Sequence, residues 1–235
     1  MPDVLLAPAK LTRTLRVTGV RADGHHLIDA EMVSVDLADT LTIADGDGLV
    51  LRGAGTDVPA DDDNLVVQAL RAAGRTAHVT VDKRIPSGAG LGGGSADAAA
   101  VLRWAGITDL DVAAGIGADV AFCLVGGRAR VTGIGEVVEP LPFEPRTFTL
   151  LTPPVHCSTP AVYRSWDDLG GPTADGPNDL EPAALAIAPE LAKWRDRLGD
   201  ATGQTPMLAG SGSTWVVEGA YDGRDLVVVH TVDRS

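Results

Sequence analysis

Residues 86–100 read P-S-G-A-G-L-G-G-G-S-A-D-A-A-A, five glycines running into an alanine-rich segment. Glycine admits positive φ and carries no side chain, so several N–H groups can converge on one anion, and a helix starting there adds its positive end. The stretch therefore predicts a phosphate cradle opening into a helix, and with it a phosphorylated ligand such as a nucleotide. Ser95 is the expected cap of that helix, Ala96 to Trp104 its body, and Gly106 the left-handed residue past its end. The two common nucleotide signatures are disfavoured: the lysine of G-x-x-x-x-G-K-[ST] is missing, and the order of elements is not the alternating βαβ of a dinucleotide fold. A flexible linker is disfavoured, because such linkers are serine-rich and do not run straight into an amphipathic helix.

Upstream of the cradle, residues 11–17 and 27–43 carry intermittent apolar–polar alternation, and Arg21-Ala22-Asp23-Gly24 reads as the turn between two strands. Leu49-Val50-Leu51, between Gly46 and Gly55, predicts another short strand. Asn64 follows the acidic run 61–63 as the cap of a helix that ends before Gly74, with Leu65, Ala69 and Ala73 on one stripe. His78–Arg84 alternates again and delivers the chain into the cradle. Downstream, residues 115–120 form a second glycine-bearing turn before apolar 120–125 and a strand at 128–132. A second unit begins at Phe148. Its signs are a stiff break at Pro153-Pro154, a turn-rich 167–177, and helix over 179–198 in two pieces, the second started by Pro189. Gly210-Ser211-Gly212-Ser213 is flanked by strand-like 214–218 and 226–232. This order is α+β rather than alternating βαβ.

The 235 residues suffice for one large or two small domains. Aromatics are only 4%, so the core is expected to be built of small aliphatics. A net charge of −13 argues against nucleic-acid and anionic-membrane partners, whose phosphates the summed field repels. A small phosphorylated ligand is still compatible, since local N–H dipoles dominate at short range. Cys123 and Cys157 have no metal-ligand or disulfide-framework spacing and read as buried thiols. Asp3 stands where a signal peptide needs a cation, and no apolar run approaches the roughly 20 residues of a membrane span, so the cytoplasm is the expected compartment.

Taken together, the motifs resemble the GHMP kinases over most of the chain. The resemblance rests on P-A-K-L at 8–11, R-A-D-G-H-H at 21–26, the glycine stretch, G-A-D-V at 117–120, G-I-G-E at 133–136, S-T-P-A-V-Y at 158–163, N-D-L-E-P at 178–182 and G-S-G-S at 210–213. It implies a two-lobed α+β fold: a ribosomal-protein-S5-domain-2-like lobe over 1–145 that binds ATP, and a ferredoxin-like lobe over 146–235. The Asp-Gly-His-His and Asn-Asp-Leu-Glu-Pro elements point to the branch that acts on a cytidine diphosphate substrate. What they imply is ATP-dependent phosphorylation of the 2-hydroxyl of 4-diphosphocytidyl-2-C-methyl-D-erythritol in non-mevalonate isoprenoid biosynthesis. The alternatives are a GHMP kinase for another small alcohol, or a shortened, catalytically silent relative that binds nucleotide.

Each site residue follows from the same resemblance. Asp119 would take the acceptor's proton, with Lys10 beside it offsetting charge on the transferring phosphoryl group. ATP would lie on Pro86, Ser87, Gly88, Ala89, Gly90, Leu91, Gly92, Gly93, Gly94, Ser95 and Ala96, with Asn64 near the adenosine. His25 and Tyr163 would stack on the two faces of the cytosine, His26 would read its edge, and Thr159, Gly210 and Ser211 would complete the acceptor pocket. Mg²⁺ would arrive with ATP, and no spacing names a metal ligand. Read without the resemblance, Asp119 and Asn64 are ordinary helix caps, Lys10 a surface lysine, the histidines a solvated loop, and Gly210–Ser213 a hairpin turn. The oligomer is left open between monomer and homodimer. The chain departs from the family pattern at Thr12, where asparagine is expected, at Arg13, where an apolar residue is expected, in a short segment between 105 and 117, and at Ala121 in place of proline.

Overall fold

The computed structural model describes residues 2–53 and 61–234, so the Gly55 end of the short strand read at 46–55 lies outside the described residues. Strands β1 (Asp3–Val20) and β2 (His26–Ala44) form a long antiparallel hairpin. The expected turn closes it: the Arg21 N–H donates to the His25 carbonyl over 2.8 Å, and Gly24 takes φ +87°. The alternation along these strands is intermittent for a reason. The register shifts at Pro8/Ala9, Thr12/Thr14 and Val17/Gly19, and each bulge changes which residues face the core.

Then follow β3 (Gly48–Gly53), α1 (Leu65–Ala72), β4 (His78–Lys83), α2 (Gly93–Trp104), α3 (Leu110–Ile116), α4 (Ala118–Val125), β5 (Arg128–Gly133) and β6 (Val137–Pro140). β2 is the hub of the first sheet. β1 pairs along its length, while β5 pairs with its first half and β4 with its second; β3 extends the sheet parallel to β4, and β6 antiparallel to β5. Asn64 caps α1 as expected, its Oδ1 accepting from the Val66 N–H at 2.9 Å. The buried stripe of α1 is Val66, Ala69 and Leu70 rather than Leu65, Ala69 and Ala73, and Ala73 is the residue that caps the helix's C-terminal end.

α2 corrects the sequence reading in two ways. It starts three residues early, capped by Gly92 in the left-handed region at φ +67°, which leaves Ser95 inside the first turn and not at the cap. It is also buried on every side from Ala96 to Leu102, where one apolar face was expected. Alanine makes that burial workable, since α1, α4 and β1 all pack on α2 and only small side chains let three neighbours close in. The apolar 120–125 run is helix α4.

The second sheet is antiparallel, in the order β10–β7–β9–β8, from β7 (Thr147–Leu151), β8 (Met207–Leu208), β9 (Trp215–Glu218) and β10 (Leu226–His230). Helices α5 (Thr159–Asp168), α6 (Glu181–Ile187) and α7 (Leu191–Thr202) accompany it; the expected division into two helices is there, but Pro189 lies in the turn between them and α7 starts at Leu191 behind the Glu190 cap. Leu11, Val33 and Val35 of the first sheet join Phe148, Leu150, Val216 and Val229 of the second in one buried apolar cluster. Each such side chain contributes about 1.5–3 kcal/mol, against about 0–1 for an exposed ion pair. The apolar junction is therefore a principal tie between the sheets. Cys123 and Cys157 are free and buried, and burial pushes the Cys123 thiol up to about 12.

Candidate active site

A cavity of about 780 Å³ opens where β1, the glycine loop, α4, α5 and the 210–213 turn meet. Lys10 stands on β1 with 5% of its surface exposed. Its Nζ lies 3.2 Å from Asp119 Oδ2 and donates to Thr12 Oγ1 at 3.2 Å. Asp119 sits in the first turn of α4, where the N-terminal dipole favours a carboxylate. The expected asparagine is thus replaced by a hydroxyl that still holds the lysine. Arg13 points elsewhere, pairing with Glu31 outside the cavity.

The glycine loop is locked to this pair. The Lys10 N–H donates to the Leu91 carbonyl at 3.0 Å, so the strand carrying the lysine and the loop are hydrogen-bonded directly. Gly88, Gly90 and Gly92 take φ +67°, +78° and +67°. At Gly92 a Cβ would stand 2.6 Å from Lys10 Cγ, so only glycine lets the lysine stem pass. At Gly90 a Cβ would meet the Ala209 carbonyl at 2.3 Å and the Gly212 carbonyl at 2.8 Å, which shows how closely the 209–213 turn covers the loop. Of the expected loop residues, Leu91 and Ala96 are buried beneath the surface while the others from Pro86 to Ser95 line the cavity.

Asn64, with Leu51, Asp63 and Leu65, lines one end of the cavity. Beneath that end lies a buried cluster that no local sequence pattern shows. Lys83 is clamped between Asp39 and Asp97, its Nζ 2.6 Å from Asp97 Oδ2. Asp39 also accepts from the backbone N–H groups of Arg84 and Ile85, where β4 runs into the loop. Among the described residues Asp97 Oδ1 has no hydrogen-bond partner. Burial, reinforced by Asp39 and opposed by Lys83, pushes the Asp97 carboxyl up to about 7. A charged residue inside the alanine run was the only sequence signal for this cluster.

The other end carries the expected aromatic residues in a different arrangement. Tyr163 is covered by His26, with ring centroids 4.6 Å apart and planes tilted by 33°; Trp166 meets the same imidazole edge-on at 5.6 Å. His26 Nε2 lies 2.8 Å from Asp167 Oδ1. His25 stands at the rim, its side chain 59% exposed and its Nδ1 3.2 Å from Asp23. The two rings in contact are therefore His26 and Tyr163. Burial raises the Tyr163 hydroxyl above the ordinary range, which keeps it protonated. Thr159 Oγ1 and Ser211 Oγ share a 2.8 Å hydrogen bond, joining α5 to the turn, and both residues line the cavity with Gly210. Among the described residues no three His, Cys, Asp or Glu side chains form a metal cluster, and no helix is long and apolar enough to cross a membrane.

Residues 64–127 match the family described as GHMP kinases N terminal domain. The 4-diphosphocytidyl-2-C-methyl-D-erythritol kinase of Paracoccus denitrificans (strain Pd 1222) is 41% identical over 230 residues, covering 88% of this chain and 84% of its own. Its counterpart from Ruegeria pomeroyi (strain ATCC 700808 / DSM 15171 / DSS-3) is 39% identical, with coverage of 88% and 85%. A crystal structure of 4-(cytidine 5'-diphospho)-2C-methyl-D-erythritol kinase superposes with a TM-score of 0.79 at 31% identity, over 97% of this chain and 99% of that one.

Proposed function

The chain belongs to the 4-diphosphocytidyl-2-C-methyl-D-erythritol kinases of the GHMP superfamily, and from that premise we propose how its residues divide the work of the reaction. The protein transfers a phosphoryl group from ATP to the 2-hydroxyl of 4-diphosphocytidyl-2-C-methyl-D-erythritol, a step of isoprenoid precursor biosynthesis. The observation that carries the assignment is the 3.2 Å Lys10–Asp119 pair at the mouth of the glycine loop, in a cavity whose far wall holds His26 and Tyr163. We take the lobes to be 1–145 and 146–235, so that the cavity lies between them.

Phosphoryl transfer asks for alignment and charge stabilisation more than covalent help. The N–H groups of the glycine loop and the start of α2 hold the phosphates of MgATP, and Asn64 faces the adenosine. Magnesium would arrive as part of the nucleotide substrate. Asp119 accepts the proton of the acceptor hydroxyl, and Lys10 stabilises charge on the transferring group. Tyr163 and His26 form one platform for the cytosine, with His25 at its rim, while Thr159, Ser211 and Gly210 hold the diphosphate-polyol part.

The test is ADP release with 4-diphosphocytidyl-2-C-methyl-D-erythritol, beside mevalonate, homoserine and no acceptor, for the wild type and Asp119→Asn. Turnover confined to the cytidine substrate, with kcat lowered ~10²–10⁴-fold in the variant and ATP binding intact, is expected. Turnover in Asp119→Asn within a few-fold of wild type removes Asp119 from the role of base.

A further inference from the structure

Asn178 and Asp179 sit far from Lys10 in sequence and line no part of the cavity, yet each is only 2% exposed. Every polar atom of the Asn178 side chain is engaged. Nδ2 donates to the Leu208 carbonyl at 2.8 Å and to the Gly210 carbonyl at 2.7 Å, while Oδ1 accepts from the Leu180 N–H at 3.0 Å. Its neighbour is as fully used. Asp179 Oδ1 accepts from Arg16 Nη1 at 2.7 Å and the Ala174 N–H at 2.9 Å, and Oδ2 accepts from the Val17 N–H at 3.0 Å. The backbone on either side completes the tie: the Leu15 N–H donates to the Pro177 carbonyl and the Asp179 N–H to the Leu15 carbonyl, each at 2.9 Å.

The pair thus bolts a segment of the second half of the chain to β1, the strand that carries Lys10 and Thr12, and from there reaches the 209–213 turn through one amide. Gly210 is where the turn approaches the reacting groups: a Cβ built there would stand 3.4 Å from Lys10 Nζ and 3.7 Å from Thr12 Oγ1. The next residue, Ser211, bonds Thr159. Gly210 and Ser211 line the cavity while the Gly210 carbonyl is received by the Asn178 amide, which does not.

We propose that Asn178 is a positioning residue for phosphoryl transfer, fixing the 209–213 turn relative to the Lys10 strand so that Gly210 and Ser211 meet the acceptor in line with Asp119. The proposal rests on the kinase reading for its catalytic consequence. Misplacement by about 1 Å can cost ~10²-fold in rate, while nucleotide held by the glycine loop is bound by other groups.

Asn178→Asp keeps the shape and the acceptor for Leu180 but removes both donors and sets carboxylate oxygen against two carbonyls. Two readouts separate the proposal from the substrate assignment. The first is hydrogen exchange of the Ala209 and Gly212 amides, which close the turn by donating to Thr214 and Ala209 carbonyls. The second is steady-state kinetics with the cytidine substrate. The expected result is at least ~10-fold faster exchange at these amides, kcat lowered ~10–100-fold, and KM for ATP within about three-fold of wild type. Asn178→Ser, which keeps one shorter donor, is expected to fall between, and the same readings are taken on it if Asn178→Asp does not fold. Unchanged exchange in the turn overturns the proposal whatever the activity, as does an equal loss in kcat and in ATP affinity. A wild type that protects these amides but does not phosphorylate the cytidine substrate overturns the substrate reading and leaves the tether standing.

Discussion

Tyr163 and Asp97 show how differently two buried side chains can be made to matter. Tyr163 presents an aromatic face in a cavity wall already stiffened by His26, so its loss removes a platform rather than a fold element. Tyr163→Ala is expected to weaken the cytidine substrate by the ~1–3 kcal/mol of one base–aromatic stack, roughly 5- to 150-fold in its KM, with KM for ATP unmoved. An unchanged KM for the cytidine substrate would place the base elsewhere. Asp97 acts on stability through its proton. Its folded carboxyl titrates at about 7, above the ordinary 3.8, because it is buried and shares one lysine with Asp39. As pH rises from about 4 the unfolded chain releases this proton while the folded chain keeps it, so stability falls until the folded carboxyl also ionises near 7. The melting temperature of the wild type is therefore expected to drop between pH 5 and pH 8, and the drop to be smaller in Asp97→Asn, which has no proton to lose. Parallel profiles for the two proteins would exclude Asp97 as the titrating group.

Elements whose cause is local were legible in the sequence. The Asn64 cap, the Gly24 turn, the break at Pro189 and the glycine loop each follow from one residue's backbone preference. Elements decided by distant partners were not. Gly92, not Ser95, caps α2, where the lysine stem crosses, and although Asp97 interrupts the alanine run and Asn178 opens N-D-L-E-P, the partners that give them the clamp and the tether lie in distant segments. The candidate site divides the same way: the glycine loop announces itself, whereas the contact of Tyr163 with His26 rather than His25 depends on where α5 meets the β1–β2 turn. The loop's tolerance to change can be argued glycine by glycine. Gly90→Ala brings a side chain into the left-handed region and within 2.3 Å of a backbone carbonyl that cannot swing away. It should cost about 1–3 kcal/mol of stability and at least ~10-fold in ATP affinity. Gly115 is the contrast, helical and with nothing within 4 Å of its Cβ, so Gly115→Ala should be neutral in activity and stabilise α3 by about 0.5–1 kcal/mol. Equal effects from the two substitutions, measured by melting and by ATP titration, would mean that the loop is not packed as described.

At the scale of the whole molecule, the two sheets are joined by apolar side chains and by backbone continuity. The Val232 N–H donates to the Ser34 carbonyl at 2.9 Å, and Val35 bridges to Thr231, so the chain after β10 is attached to the central strand of the first sheet. The cavity wall draws on both halves: Lys10, Asn64 and Asp119 come from the first, Thr159, Tyr163 and Ser211 from the second. A molecule built this way should unfold as one unit, and a ligand gripped mainly by one half should stabilise both. MgATP at about 100 times its Kd adds roughly 2.7 kcal/mol to the folded state. For a chain of this size each kcal/mol raises the melting temperature by about 2–4 °C, so calorimetry should record a single transition moving up by about 5–11 °C. The glycine loop transmits that gain because Thr214 N–H donates to the Ala89 carbonyl at 3.2 Å and the 209–213 turn lies over Gly90. Two transitions, only one of them shifted by MgATP, would show instead that the halves unfold separately and that the apolar junction is weaker than its buried side chains imply.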